Sequence, residues 1–173
     1  MLNNFKEIFL KKYNDNRGYF QETYNSYIES EIGCSFVQDN ESFSKKGVIR
    51  GLHYQWDMPM GKLIRCPYGK IIDVIVDIRK DSKKLGEVYY FELSGEKHNA
   101  LWVPPGFAHG FEVLSDCALV SYKCTNYYNK FGESGINPFD LTLKVNWLDK
   151  NAVISEKDLM SKSFEEYILD PKF

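Results

Sequence analysis

Apolar and polar residues alternate with a period close to two along most of this chain. Residues 5–10, 70–78, 88–93, 101–103 and 118–123 are short, β-branched or aromatic, and bounded by Gly, Pro, Asn or Asp, the pattern of strands that send successive side chains to opposite faces. Punctuation at Asn16-Arg17-Gly18, Pro67-Tyr68-Gly69, Ser94-Gly95-Glu96-Lys97 and Pro104-Pro105-Gly106 is frequent enough to predict an all-β closed barrel or sandwich, because many short strands need closure to avoid long open edges. Helical pattern is expected at residues 23–32 and again from Ser155, where an N-cap serine and first-turn acids precede Leu159 and Met160. No second domain, repeat or low-complexity linker is visible, so one domain is expected over residues 1–173.

Composition narrows the class. With 173 residues, 43% of them hydrophobic and 16% aromatic, the chain has the size and apolar content of one soluble domain. A net charge of -2 and no long basic run argue against nucleic acid as a partner. The segment MLNNFKEIFLKKYND has no long apolar core, and no apolar run approaches the roughly 20 residues that span a bilayer, so no membrane association and a cytoplasmic location are expected. Cys34, Cys66, Cys117 and Cys124 show no CxxC spacing and read as reduced, partly buried thiols.

The chemistry is concentrated around two of the three histidines. His53 lies in GVIRGLHYQ (residues 47–55) and His109 in PPGFAHGF (residues 104–111); histidine titrates nearest neutrality and serves as proton carrier or metal ligand. Metal-binding barrels usually offer His-x-His with a following glutamate and a third histidine on another strand. Here Gln55 follows His53, and His98 falls in a polar turn where a solvated histidine is expected. Two separated histidines without a carboxylate ligand make a poor divalent-metal site, so no metal is expected and acid–base chemistry is the better reading.

Arg50, Lys62 and Gln55 cluster near His53 in sequence and suit an anion and carbonyl clamp. Arg50 and His53 are an odd number of residues apart, which on a flat strand sets them on opposite faces; a bulge at Gly51 would bring them together. Tyr122, in a strand suited to burial, reads from composition alone as a core phenol.

Longer motifs carry a resemblance that composition does not. Asp15-x-Arg17-Gly18-Tyr19-Phe20-x-Glu22, Gln38-Asp39-Asn40-x-Ser42-x-Ser44, residues 47–55, Gly61-Lys62-Leu63, Asp73-Val74-x-Val76-Asp77, residues 105–111, Tyr122-Lys123-x-Thr125-x-Tyr127-Tyr128, Glu133-x-Gly135-Ile136 and Ser155-x-Lys157-Asp158 together resemble the dTDP-4-dehydrorhamnose 3,5-epimerase family. They keep the family's order over nearly the whole chain.

The resemblance implies a cupin-type jelly-roll barrel with short flanking helices and a C-terminal helical segment, usually a homodimer, that needs no cofactor and acts on a nucleotide-diphosphate sugar carrying a C4 ketone. It implies His53 as base, Asp158 as its orienting partner, Tyr122 as acid and Lys62 as the stabiliser of the enolate oxygen. Arg17, Glu22, Gln38, Asn40, Arg50, His109, Glu133 and Lys157 are implied as substrate contacts, Arg17 and Glu22 toward the neighbouring subunit's site. Tyr127 or Tyr128 would stack on the nucleobase.

The chain departs from the family at Met60, where glutamine is usual, in residues 56–60, and around residues 137–141. These departures bear on the nucleotide and sugar rather than on His53, Tyr122 or Asp158. Alternatives are an epimerase of GDP-linked 4-keto-6-deoxy heptoses acting at C3 or at C3 and C5, a sugar-nucleotide 3,4-ketoisomerase, and a non-catalytic sugar-nucleotide binding module.

Overall fold

In the computed structural model, which describes residues 3–173, strands β1 (Lys6–Phe9), β2 (Lys12–Asp15) and β3 (Gly18–Gln21) precede helix α1 (Ser26–Ile32). Strands β4 (Gln38–Lys45), β5 (Ile49–Gln55), β6 (Lys62–Tyr68), β7 (Lys70–Asp77), β8 (Val88–Ser94), β9 (Asn99–Val103), β10 (Phe107–Val113), β11 (Cys117–Cys124) and β12 (Glu133–Gly135) follow, and α2 (Glu156–Leu159) and α3 (Phe164–Leu169) close the chain. Two five-stranded antiparallel sheets result, ordered β1-β9-β6-β11-β4 and β12-β5-β10-β7-β8, beside the separate β2-β3 hairpin.

The alternation explains the layers. Along β7, Ile71 and Ile75 point between the sheets, where they meet Ile64, Leu101, Phe111 and Val120. Val74 and Val76 point outward and are covered by Leu143, Phe164 and Tyr167 of the C-terminal segment. A strand buried on both faces carries a near-continuous apolar run, so residues 70–78 depart from the period-two alternation expected of them. On the outside of the first sheet, α1 sets Ile28 and Ile32 against Leu63 and Trp102. Fully burying each such aliphatic side chain contributes about 1.5–3 kcal/mol. The result is the predicted all-β jelly-roll barrel of cupin type with short flanking helices.

Three local outcomes refine the expectations. Helix α1 begins at Ser26 rather than residue 23, because the Asn25 side chain caps the N–H groups of Tyr27 and Ile28. Ser155 caps α2 as expected, but that helix ends at Leu159, and Ser163 opens α3 with a capping box to Glu166. His98 does occupy a turn, yet it is partly covered: Tyr19 packs edge-on against its ring and Gln21 sits 3.3 Å from Nδ1.

Candidate active site

The space between the sheets is not filled along its whole length. Beyond the apolar core lies a cavity of about 580 Å³, walled by Arg50 and His53 from β5, His109 from β10, Lys62 from β6, Tyr122 from β11, and Asp158 from α2. Its residues come from both sheets. Ser42 of β4 also borders it, and the inward face of that strand, Gln38, Asn40, Ser42 and Ser44, is polar where neighbouring strands are apolar.

Gly51 decides how β5 meets this cavity. Along the β10–β5 ladder, His109 pairs with His53 but Phe111 pairs with Arg50, so three residues of β5 span two of β10. This is the bulge that turns Arg50 and His53 to one cavity. Gly51 holds a φ of +126°, and a Cβ there would come within 2.5 Å of Gly110 Cα; both features restrict the position to glycine. Arg50 Nε then donates to Ser44 Oγ at 2.9 Å.

His53 Nε2 lies 2.7 Å from Asp158 Oδ1, and Asp158 Oδ2 accepts from Gly51 N–H at 3.2 Å. One carboxylate thus engages both the imidazole and the bulge that positions it. Burial works to raise the Asp158 pKa, but the hydrogen bond and charge of His53, with Gly51 N–H and Ser155, outweigh it and hold the group below 3.8. Such a carboxylate fixes the imidazole's orientation and stabilises it when it gains a proton on Nδ1.

A second pair lies deeper. His109 Nε2 is 2.8 Å from Asp73 Oδ2, Asp73 is fully buried, and among the described residues its Oδ1 meets no hydrogen-bond partner. Burial pushes the Asp73 carboxyl up and the His109 imidazole down, each partly offset by the other. Lys62 is likewise pushed down by burial, opposed by Cys124, Asp73 and Glu133, and its ammonium stands 5.7 Å from the Tyr122 ring centroid. Burial raises the Tyr122 phenol, a hydrogen bond from Asn40 partly offsetting it, so the phenol remains a proton donor at neutral pH.

The remaining expected residues separate into groups. Glu133 and Lys157 form an ion pair of 2.7 Å on the cavity wall, with the Tyr128 hydroxyl on the same Glu133 oxygen. Gln38 donates to Asn40 and accepts from Tyr128 N–H. Tyr127 and Tyr128 are exposed beside this rim. Arg17 and Glu22 are not brought to the cavity of their own chain: Arg17 is 85% exposed at the hairpin tip, bonded to Asp15, and Glu22 accepts from Asn25. Residues 56–60 and 137–141, where the chain departs from the family pattern, do not line the cavity. Among the described residues no group of three or more His, Cys, Asp or Glu is placed to hold a metal ion.

The family model for dTDP-4-dehydrorhamnose 3,5-epimerase matches residues 1–166. The chain belongs to this family. It is 46% identical over 158 residues to the dTDP-4-dehydrorhamnose 3,5-epimerase of Shigella flexneri, covering 89% of this chain and 87% of that protein. The same name and identity apply to a relative from Methanothermobacter thermautotrophicus over 159 residues, covering 89% and 86%. Among solved structures, the dTDP-6-deoxy-D-glucose-3,5-epimerase of Legionella pneumophila in complex with dTDP-4-keto-L-rhamnose superposes with a TM-score of 0.90 at 42% identity, covering 95% of this chain and 89% of that one. The epimerase family is a class of isomerases, and its jelly-roll architecture is the one described above.

Two features of the site were not anticipated from the sequence. The pairing of Asp73 with His109 is one; its signal is an acid at Asp73 alternating inward with Ile71 and Ile75 on an apolar strand. The other is the serine pair Ser42 and Ser44, whose motif gave no hint that Ser44 would brace Arg50.

Proposed function

We propose that this enzyme inverts C3 and C5 of a dTDP-linked 4-keto-6-deoxy sugar by proton transfer next to the ketone. The observation that carries the reading is the placement of His53 on one sheet and Tyr122 on the facing sheet, both walling a single cavity. A ring held between them offers one face to a base and the other to an acid, as inversion through an enolate requires.

In this reading the C4 ketone acidifies the adjacent hydrogens. His53, oriented by Asp158, removes one and becomes imidazolium. Lys62 supplies positive charge to the oxygen as it becomes an enolate, an interaction that strengthens as charge develops. Tyr122 delivers a proton to the opposite face. Arg50, braced by Ser44, takes diphosphate oxygens in a fork suited to them, His109 holds a sugar oxygen, and Gln38, Asn40, Glu133 and Lys157 line the way to the nucleotide. Tyr127 or Tyr128 supplies a stacking surface for the base.

A homodimer is part of the proposal. The hairpin carrying Arg17 exposes Tyr13, Tyr19 and Phe20, and the outer face of the first sheet exposes Phe43 and Tyr68; a second copy covering them would bring Arg17 and Glu22 to a neighbouring cavity. Four unpaired cysteines support a reducing, cytoplasmic setting.

Incubation with dTDP- and GDP-linked 4-keto-6-deoxy sugars in deuterated water tests the reading. Proton NMR is expected to show deuterium at C3 and C5 of the dTDP sugar with the ketone still at C4. Exchange at neither carbon, or a ketone moved to C3, would overturn it.

A further inference from the structure

His53 borders two cavities rather than one. Besides the substrate cavity, it lines a groove of about 460 Å³ whose walls include Glu133, Gly135, Lys157, Met160 and Ser161. The Lys157–Glu133 ion pair belongs to the walls of both and so stands between them. The groove reaches the imidazole past small residues. Gly135 lies opposite His53 in the β12–β5 register, and a Cβ on Gly135 would come within 2.9 Å of Ser161 Oγ. The His53 side chain, which borders both spaces, keeps 30% exposure, whereas Asp158 bonded to it keeps 6%.

Proton accounting gives this opening a use. In one inversion His53 takes a proton from carbon and Tyr122 gives its phenolic proton to the opposite face, leaving imidazolium and phenolate. A second inversion before the sugar departs requires both groups to be reset. The imidazolium must give its Nδ1 proton to water, the phenolate must regain one from water, and the hydronium and hydroxide so formed neutralise each other. With the sugar filling the main cavity, the groove is a second approach to His53.

We propose that this groove is the route by which His53 returns its captured proton to solvent, and that Ser161 is a positioning residue that keeps the route open. The inference rests on His53 being the base.

The test is pre-steady-state turnover of the dTDP-linked 4-keto-6-deoxy sugar in deuterated water by Ser161→Leu, with Ser161→Ala as the variant that leaves the groove clear. Ser161→Leu is expected to complete one inversion per site at the wild-type rate and then slow roughly tenfold or more, as expected when a proton-transfer step is impeded; kcat and KM should fall together, so that kcat/KM changes little. Ser161→Ala should show no burst. Met160→Trp, at a position 84% exposed on the groove wall, should reproduce the burst without loading the fold. An unchanged steady state in both bulky variants, or a first turnover slowed as much as the later ones, overturns the route. So does a raised KM with unchanged kcat, which would make the groove part of the nucleotide cleft. Failure of the underlying reading shows separately, as carbon exchange that survives in His53→Asn.

Discussion

Replacing Asp158 with asparagine keeps the size of the side chain but removes its charge and one of its two acceptors. Asparagine has one acceptor oxygen: if it accepts from Gly51 N–H, as Asp158 Oδ2 does at 3.2 Å, its amide NH2 faces His53 Nε2, now 2.7 Å from Oδ1, and donates to it, which also moves the ring proton to Nδ1 and blocks the base. Also lost is the attraction between a carboxylate and the imidazolium formed as the sugar loses its proton. Taking the charge centres as roughly 4 Å apart and an effective dielectric of about 20, that attraction is about 4 kcal/mol. It is present mainly after proton transfer, so it lowers the barrier rather than the energy of bound substrate. At about 1.4 kcal/mol per decade, kcat should fall roughly a thousandfold. The assay is the rate of deuterium entry at C3 and C5 followed by NMR, with calorimetric titration of dTDP to confirm that binding is kept. A kcat within tenfold of wild type, with binding intact, would refute the electrostatic role and leave Asp158 as a structural brace for the β5 bulge.

Three other outcomes follow from the same geometry. Tyr122→Phe removes the acid but keeps a ring beneath Lys62, so inversion should drop by roughly 10²–10⁴-fold, while His53 still exchanges the proton it removes; deuterium without inversion, seen by NMR, is the signature. Lys62→Met removes a half-buried ammonium whose pKa desolvation already lowers; kcat should fall by about 10²–10³, whereas the thermal unfolding midpoint should hold or rise because a partly desolvated charge is removed. The acid limb of stability should come from carboxylates held below their ordinary values, Asp158 and Asp77 below 3.8 and Glu133 below 4.5. The unfolded chain binds protons first, so their contribution is complete above about pH 4.5 and is lost as pH falls through the lowered values. Denaturant midpoints measured downward from neutrality should therefore fall below about pH 4.5, and Asp77→Asn should make that fall shallower.

How much of this was legible in the sequence depends on what each strand faces. Strands β8 and β11 announce themselves by alternation, and β7 and β9 as short, largely β-branched or aromatic apolar runs bounded by turn residues. Strand β4 does not. Its inward residues Gln38, Asn40, Ser42 and Ser44 border the polar end of the barrel, and its outward residues Asp39, Glu41 and Phe43 are exposed, so neither face shows a hydrophobic stripe. Its lack of pattern is the mark of the site itself, because a strand that lines a cavity for a charged substrate has no apolar side to display. Strand β10 fails in the opposite way: all seven residues of FAHGFEV are buried, but His109, Gly110 and Glu112 interrupt the apolar run that marks β7 and β9, so neither a period nor a run is left to read.

The catalytic group shows the same division between local and distant information. The bulge at Gly51 could be anticipated because Arg50 and His53 are three apart and both have chemistry suited to one anionic, ketone-bearing ligand. The carboxylates that tune the two histidines could not be paired from spacing, since Asp158 is 105 residues from His53 and Asp73 is 36 from His109. Both pairings are products of the fold: α2 lays Asp158 beside β5, and the β10–β7 ladder sets Asp73 diagonal to His109. The two histidines therefore differ less by their own sequence contexts than by how deep their partners lie. Asp158 sits where its burial is outweighed by its hydrogen bonds and the charge of His53, which hold its pKa below the ordinary aspartate value. Asp73 sits where burial prevails and raises its pKa. A half-exposed imidazole against a firmly charged acid can take a proton from carbon and be reset by water. A buried imidazole against an acid that resists ionisation is suited instead to hold a fixed hydrogen bond to the sugar, which is why we place the proton chemistry on His53 and the substrate contact on His109.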